Sequence, residues 1–436
     1  MRFGLLLATA LLLSACGKSD TGGGEASTID TIAERYVKLA LAMTPHDPAY
    51  VDAYFGPDAW IDEVRESPQS LEAIIASAEA MMREVNALSP EEADPIRAKG
   101  LAKRLTALVG RARLVSGLAL DFDTEARLLY DTVPPQVPID HFRTIHEEID
   151  ALLPGEGPLA ERVETFRSRF VIPRDKLAEV FDAAIAECRS RTLAHMDLPD
   201  DERFTLEYVN DKPWSGYNWY QGDAESLIQM NTDLPIFIHR AVDLGCHEGY
   251  PGHHTYNSLL EANLVEKRNW IEFALYPLFS PQSLIAEGTA NYGIKLAFPA
   301  EERIAFEKGT LFPLAGLDPS QADRYYELLA LLEGLDYVDN EVARLYLGED
   351  MDRETAADWL VEYKLMSPER AAQRVDFIDT YRSYVINYNH GRDMVVAYIN
   401  AVAGDDPDAR WEAFTYLLSN PLTPSDLTRA TAGATD

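Results

Sequence analysis

The segment densest in potential metal ligands reads Cys246-His247-Glu248-Gly249-Tyr250-Pro251-Gly252-His253-His254. It holds three of the nine histidines of the chain, with a carboxylate directly after the first. Catalytic zinc takes three protein ligands from His, Asp, Glu or Cys and keeps a fourth position for water, whose proton a nearby glutamate can accept. The segment therefore predicts a zinc site, with His247 and either His253 or His254 as ligands and Glu248 as the base.

The spacing of these histidines differs from the usual helical zinc motif. In His-Glu-x-x-His the two ligands lie one turn apart, whereas here the residue four after His247 is Pro251. On an unbroken helix His253 would point away from His247, and His254 would lie about 10 Å along the axis. Proline and glycine can interrupt a helix, so the spacing predicts a break at Tyr250-Pro251-Gly252 that returns the second histidine to the first.

A third ligand is predicted at Glu287, in the run Ser283–Leu296. The apolar residues of this run fall at the spacing of a helix buried against other helices: Leu284, Ile285, Ala290 and Ile294. A carboxylate on such a helix needs a partner that offsets the cost of burial. A metal ion would be that partner.

Two motifs together resemble the bacterial domain-of-unknown-function 885 family. The first is His247-Glu248-x-x-Pro251-Gly252-His253-His254, and the second is Glu287-Gly288-x-Ala290-x-Tyr292. The resemblance extends over most of the chain after residue 28. It implies a zincin-like fold related to helical metallopeptidases, a metal-dependent hydrolase, and a site made of His247, Glu248, His253, His254 and Glu287. The family usually has Trp-Ala after Glu-Gly, where this chain has Thr289-Ala290.

Residues 1–16 are typical of a bacterial lipoprotein signal peptide. Arg2 supplies the positive start, residues 5–13 are mostly leucine and too few to span a membrane, and Leu13-Ser14-Ala15-Cys16 matches a lipobox. Cys16 would then carry the lipid. Gly17 suggests, by analogy with other Gram-negative lipoproteins, an outer-membrane destination facing the periplasm. Residues 17–28 read as a flexible tether.

The remainder, 29–436, is predicted to be one large, mainly helical catalytic domain. Residues 29–200 form its N-terminal helical part, and residues 201–436 carry a small sheet and the metal-site helices. A hydrophobic content of 47% suffices for a large core. The net charge of −33 argues against nucleic acid as a partner, and against membrane adhesion beyond the lipid anchor.

The predicted fold class is mainly α, a large helical zincin-like metallohydrolase architecture with one small antiparallel β-sheet beside the site. Three segments between 203 and 231 alternate or carry β-favouring aromatics: Phe204–Val209, Gly216–Tyr220 and Ser226–Asn231. The resemblance to zincin-like enzymes implies that this sheet lies beside the site, where its edge strand can hold an extended substrate. The alternative is a surface hairpin. The motif helix is expected to begin near Leu234-Pro235, with His239 in a packing position two turns before His247.

A late segment around Tyr381–Arg392 offers oxyanion donors. Tyr384 and Tyr388 are four residues apart, so they share a helical face with Tyr381 close by. A metallohydrolase needs a donor toward the oxyanion, and Tyr388 or His390 is the candidate. The alternative is an aromatic stripe in the core.

Cys188 and Cys246 are the cysteines that remain after Cys16 is set aside. A disulfide and two buried free thiols both fit an oxidising compartment, and the sequence leaves the choice open. Cys246 as a metal ligand, or as the nucleophile of a Cys246/His247 hydrolase, is disfavoured because neighbouring side chains on a helix point about 100° apart.

These observations predict a lipid-anchored, zinc-dependent hydrolase, most simply a peptidase acting on a peptide or a small amide. Zn²⁺ is the expected cofactor, although histidine and carboxylate ligands also accept other divalent transition metals. The alternative is a helical binding lipoprotein of the envelope that keeps a structural metal or none.

Overall fold

The structure is a computed structural model that describes residues 28 to 433. The predicted signal peptide, the lipidation residue Cys16 and the tether up to residue 27 lie outside the described residues. Within the described residues, no helix combines the length and the apolar character needed to cross a membrane.

Helices make up most of the described chain. They are α1 Ile29–Leu41, α2 Asp58–Glu66, α3 Leu71–Ala87, α4 Pro95–Val115, α5 Phe122–Tyr130, α6 Ile139–Leu152, α7 Leu159–Arg167, α8 Leu177–Leu193, α9 Arg240–Leu244, α10 His253–Leu260, α11 Pro281–Ala297, α12 Ala300–Phe306, α13 Phe312–Ala315, α14 Ala322–Glu333, α15 Val338–Leu347, α16 Arg353–Tyr363, α17 Pro368–Tyr381, α18 Ile386–Ala403, α19 Pro407–Ser419 and α20 Pro424–Gly433. The strands are β1 Val51–Tyr54, β2 Arg203–Val209, β3 Gly216–Gly222, β4 Glu225–Asn231 and β5 Leu275–Pro277. The prediction of a mainly α fold with a small sheet is confirmed.

The sheet has the order β2-β4-β3, so β3 is an edge strand. β3 and β4 form the predicted antiparallel pair, whereas β2 lies parallel to β4. The loop after β2 carries the chain past the end of β4, where Asp233 accepts hydrogen bonds from the side chain of Asn210 and the amide of Asp211. β2 and β3 therefore flank β4 on opposite sides. A second, two-stranded antiparallel sheet joins β1 to β5.

One contiguous hydrophobic core runs from α1 to α20. Buried arginines of α4 tie it to the segment before α11. Arg97 pairs with the buried Glu272 at 2.8 Å, Arg104 donates to the backbone oxygen of Glu272 at 2.9 Å, and Arg111 pairs with Asp47 at 2.7 Å. The two contacts to Glu272 join α4 to the part of the chain that carries the motif, and the pair with Asp47 joins α4 to the segment after α1.

The motif helix starts later than its sequence indicates. Residues 234–237 are not helical, because the amide of Ile172 donates to the backbone oxygen of Ile236 and the amide of Ile238 donates to that of Phe170. A turn at residues 238–239 leads into the helix. α9 then begins at Arg240. A short backbone pairing between residues 170–172 and 236–238 thus replaces the first turns expected for the motif helix. Helix propensity gives no sign of this pairing.

The helices α11 and α18 cross with backbones in contact. A β-carbon on Gly288 would stand 2.5 Å from the carbonyl carbon of Gly391, so neither position tolerates a larger side chain without a shift. This approach places the turn before α18, with Tyr384, beside Glu287 of α11. The glycine that follows Glu287 in the second motif therefore has a packing role.

A disulfide joins Cys188 of α8 to Cys246, with their Cα atoms 5.5 Å apart. It ties α8 to the turn that carries His247, and it decides between the two states that the sequence left open. The bonded sulfur is not available as a ligand or a nucleophile, so the structure contradicts both disfavoured roles of Cys246.

We expect replacement of both cysteines by alanine to lower the free energy of unfolding by about 4 kcal/mol, because the bond closes a long loop in the unfolded chain. Urea unfolding of the soluble chain from residue 29 measures this difference. The parent treated with a thiol reductant is the matched comparison and should lose a similar amount. Equal stability of parent and double variant would contradict the expectation.

Candidate metal centre

The predicted helix break is present between α9 and α10. A π-helical turn, Gly245–Gly249, follows α9, and Tyr250 is extended with a cis bond to Pro251 before α10 starts at His253. A β-carbon on Gly252 would stand 1.8 Å from the backbone oxygen of His247, so the turn needs glycine. The break folds the start of α10 back onto the end of the π turn.

This turn brings His247 and His253 together at Glu287. Nε2 of His247 lies 3.1 Å from Oε2 of Glu287, and Nε2 of His253 lies 3.6 Å from the same oxygen. The two imidazole centroids are 4.7 Å apart. Among the residues that the structure describes, these three form a group whose ligand atoms all lie within 4.8 Å of one another.

The donor set fits a tetrahedral metal ion. Zn–N bonds of about 2.0–2.1 Å at tetrahedral angles place ligand atoms roughly 3.4 Å apart, close to the separations found here. Oε2 of Glu287 is buried and has no hydrogen-bond partner within residues 28–433. Its other oxygen, Oε1, accepts a hydrogen bond from the Tyr384 hydroxyl at 2.8 Å. The carboxylate is therefore oriented so that its unpartnered oxygen faces both imidazoles.

The charges of the triad shift its pKa values in opposite directions. Burial alone would raise the pKa of Glu287, but the positive potential of His253 and His247 outweighs it and holds that pKa well below the ordinary value. Burial opposes protonation of His253, yet the negative charges of Glu287, Glu248 and Asp52 raise its pKa to about 9. Without a metal, a protonated His253 thus serves as the counterion of Glu287.

Glu248 is buried beside this group, against Gly216 at the start of β3. The Asn218 side chain of β3 donates to the backbone oxygen of Glu248 at 2.7 Å, which fixes the strand against the π turn. Burial raises the pKa of the Glu248 carboxyl. A carboxylate with a raised pKa is suited to accept and return a proton near neutral pH.

A cavity of about 1170 Å³ opens over the triad and Glu248. Residues 213–218, leading into and along β3, form one part of its wall, and Tyr381, Tyr384 and Tyr388 form another. Asp52 of β1 also faces it, accepts a hydrogen bond from the Tyr217 hydroxyl at 3.0 Å, and has its pKa raised by burial to about 6. Sequence reasoning missed Asp52, since no motif marks a short strand some 200 residues before the histidines.

His254 lies away from the triad. Its Nε2 donates to Glu202 at 2.9 Å and its Nδ1 contacts the Ser226 hydroxyl at 2.9 Å, so both ring nitrogens are engaged and the side chain is fully buried. The predicted choice between the two histidines therefore falls on His253. Glu202, another residue that the sequence did not single out, also accepts hydrogen bonds from Tyr250 and Arg189 and so anchors the helix break to the sheet.

The residues predicted as oxyanion donors in the segment Tyr381–Arg392 also lie in different places. Tyr384 contacts Glu287, and Tyr388 lines the cavity, but His390 points elsewhere: its Nε2 contacts the Thr132 hydroxyl at 3.0 Å, and it does not line the cavity. The structure therefore contradicts the placement of His390 at the site. Tyr388 and His390 are two positions apart on α18, so their side chains leave the helix on nearly opposite sides, and His390 reaches Thr132 just after α5.

His239 is not a member of the triad, as predicted, although it lines the cavity. It is buried, and its Nδ1 contacts the Tyr325 hydroxyl at 2.6 Å.

Two comparisons with known proteins find no match. No protein-family model matches the chain, and no curated protein matches its sequence. The resemblance to the domain-of-unknown-function 885 family therefore stays a prediction that rests on the two motifs.

Three solved structures are similar in shape. A proposed lipoprotein from Colwellia psychrerythraea aligns over 86% of this chain and 69% of its own, with 16% identity and a TM-score of 0.51. A proposed lipoprotein of unknown function from Shewanella oneidensis covers 94% and 79%, with 12% identity and a TM-score of 0.43. The M32 carboxypeptidase from Deinococcus radiodurans R1 covers 93% of both chains, with 13% identity and a TM-score of 0.37. The first of these shows a shared fold.

The raised pKa of His253 makes stability of the metal-free protein depend on pH. Its stabilising contribution is complete below the unfolded-state pKa of about 6.5 and is lost as pH rises through the folded-state value. We expect the free energy of unfolding of chelator-treated protein to fall between about pH 7 and about pH 10, measured by urea unfolding. Glu287→Gln should show a weaker fall in this range, because Glu287 is the main source of the shift. The same slope in both proteins would contradict this origin.

Proposed function

We propose that this protein is a lipid-anchored, zinc-dependent hydrolase of the bacterial envelope that cleaves peptide bonds. The observation that supports it most is the convergence of His247, His253 and Glu287 beside a buried Glu248, within a cavity of about 1170 Å³. Three ligands and a neighbouring carboxylate base are the composition of a catalytic zinc site, whereas structural zinc usually has four protein ligands.

Glu248 would perform the proton transfers. A bound zinc ion would supply a Lewis acid that brings the pKa of water toward about 7. Glu248 takes the proton of the attacking water and later returns it to the leaving amine. The burial that raises the pKa of Glu248 makes it a stronger base and brings its pKa closer to neutral pH, where one group can both accept and return a proton.

Tyr388 and Tyr384 would have different roles. Tyr388 lines the cavity and is the candidate donor to the oxyanion that forms when the carbonyl is attacked. Tyr384 donates to Oε1 of Glu287 and so orients a ligand rather than the substrate.

The edge strand β3 offers a place for an extended substrate. Its hydrogen-bonding partner is β4 on one side, and residues 213–218 border the cavity. A peptide could add to this edge by backbone hydrogen bonds, with its scissile bond near Glu248. A peptide or small amide is therefore the substrate class we propose.

The envelope location rests on the lipobox and on the neighbours. Two of the similar structures are themselves described as proposed lipoproteins. Attachment through Cys16, an outer-membrane position and an orientation toward the periplasm are part of the proposal.

The test combines metal content with turnover. Elemental mass spectrometry of the chain from residue 29 should find about one zinc per chain in the parent, and much less in His247→Ala and Glu287→Ala. Glu248→Gln should keep the zinc and lose roughly 10²–10⁴-fold in kcat on a peptide library. His254→Ala is the matched control: because that ring lies outside the triad, its folded fraction should still bind zinc.

Two results would contradict the proposal. A parent that remains free of zinc after reconstitution would remove the hydrolase mechanism and favour the binding lipoprotein. Full activity in Glu248→Gln would remove the assignment of the base.

The two tyrosines provide a further test of the site. Tyr388→Phe should lower kcat by about 10²–10³-fold with zinc affinity unchanged. Tyr384→Phe should weaken zinc binding by about 10–100-fold, because Glu287 loses its orienting donor. Steady-state kinetics and competition with a zinc chelator separate the two effects. Equal effects of both substitutions on both quantities would contradict the division of roles.

A further inference from the structure

A second group of polar residues lines the same cavity as the triad and is not used by the proposed reaction. Arg167 ends α7, Arg240 begins α9, and Arg370 lies in the first turn of α17. We call these three residues the arginine cluster. Three elements that are distant in sequence supply it, so it arises from the tertiary fold. Arg240 acts electrostatically on the carboxyl of Glu248, so this member of the cluster lies within electrostatic range of the candidate base.

Other cations of the cavity are neutralised by carboxylates. Arg374 and Lys364 pair with Asp339 at 2.6 and 2.7 Å, and Arg303 pairs with Asp243 at 2.7 Å. Arg240 forms a longer ion pair, 3.4 Å, with the same Asp243, and so shares this carboxylate with Arg303.

Arg167 and Arg370 differ from these cations. Nε of Arg167 is buried without a hydrogen-bond partner, and Arg370 donates to the backbone oxygen of Pro235 at 2.8 Å. Across residues 28–433, no carboxylate forms an ion pair with either guanidinium. Glu164 is near enough to attract both, yet it pairs with neither.

The two guanidinium groups also lie against one aromatic ring. They are 4.3 and 5.1 Å from the ring centroid of Phe237. Burial, together with the positive charges of Arg167 and Arg240, lowers the pKa of Arg370 to about 10. The two guanidinium groups are half-buried and form no ion pair with the described residues, although Glu164 attracts both, and an incoming anion would add compensating charge. The ring of Phe237 and two guanidinium groups that form no ion pair within the described chain give this part of the cavity the groups that can bind a planar anion.

We propose that the arginine cluster binds a carboxylate of the substrate and thereby selects acidic peptides or peptides with a free C-terminus. This inference rests on the proposed function, because it concerns the same cavity. Guanidinium groups match carboxylates through paired hydrogen bonds, which gives orientation as well as attraction. A peptide offers such a group at its C-terminus or on a glutamate or aspartate side chain, and both sources present the same chemistry to the cluster.

Binding to the zinc-loaded Glu248→Gln variant tests the proposal without turnover. The probes are two pairs of N-acetylated tetrapeptides, compared by isothermal titration calorimetry. The first pair is tetra-alanine with a free C-terminus and the same peptide as its amide. The second pair is two amidated alanine peptides that carry glutamate or glutamine at the third position. The first pair reports a terminal carboxylate and the second a side-chain carboxylate.

We expect the charged member of at least one pair to bind about tenfold or more tightly than its neutral partner. Arg167→Gln and Arg370→Gln, each added to Glu248→Gln, should reduce that ratio to near one. Arg169→Gln is the matched control, since this exposed arginine lies two residues from Arg167 and outside the cavity lining. It should keep the full ratio. Thermal unfolding verifies that each variant is folded, and Arg370→Gln decides the matter if Arg167→Gln does not fold.

Ratios near one for both pairs in the Glu248→Gln parent would overturn the proposal, as would a full ratio in folded Arg167→Gln and Arg370→Gln. Failure of the proposed function gives a different result. A wild-type chain that hydrolyses no peptide refutes the hydrolase, while the carboxylate preference in binding can still be measured. Hydrolysis that is equally fast for charged and neutral peptides keeps the hydrolase and removes the role of the cluster.

Discussion

The structure depends on one buried carboxylate. Glu287 lies on α11, a helix whose residues are nearly all inaccessible to solvent, and an ionised group there is stable only if its surroundings supply compensating partners. Tyr384 binds one oxygen, and His247 and His253 approach the other. These partners come from three places in the chain. The position of each therefore has to be specified by packing, and much of the architecture around α11 provides that specification.

Three local features position the histidines against α11. The π turn and the break at Gly252 reverse the chain so that two residues six apart can share one partner. The disulfide holds the π turn to α8, and Glu202 holds the far side of the break through Tyr250 and His254. Irregular helical turns of this kind are frequent at functional sites, since they aim side chains where a regular helix cannot. His254 is therefore structural. It fixes the first turn of α10 and leaves His253 to face Glu287.

Much of the site could be predicted from local chemistry. Pro251 at the position where a second ligand is usual indicated the interruption, and a lone glutamate in an apolar helix indicated a buried partner. What could not be predicted depends on tertiary register. His253 and His254 are adjacent in sequence, and the positions of Glu202 and Ser226 decide that His254 is the one hydrogen-bonded away from the triad. The same holds for His390, for the parallel pairing of β2, and for Asp52. For the disulfide, the sequence supplied the two cysteines and left open whether they meet.

The cavity is more heterogeneous than the motif alone would indicate. Its acidic and histidine-rich part lies in a protein with a net charge of −33, yet the same space contains arginines without carboxylate partners. Such a combination makes the interior electrostatically unlike the surface. The net charge of the protein repels a negatively charged group at long range, so the arginine cluster would act on such a group only inside the cavity.

The most direct measurement is anomalous diffraction at the zinc edge from crystals of the zinc-loaded protein. We predict one strong peak among Nε2 of His247, Nε2 of His253 and a carboxylate oxygen of Glu287, about 2.0–2.2 Å from each, with a fourth position not filled by the protein. A peak coordinated by four protein groups, or one located at His254 and Glu202, would contradict this prediction. Absence of a peak in protein that carries zinc elsewhere would do the same.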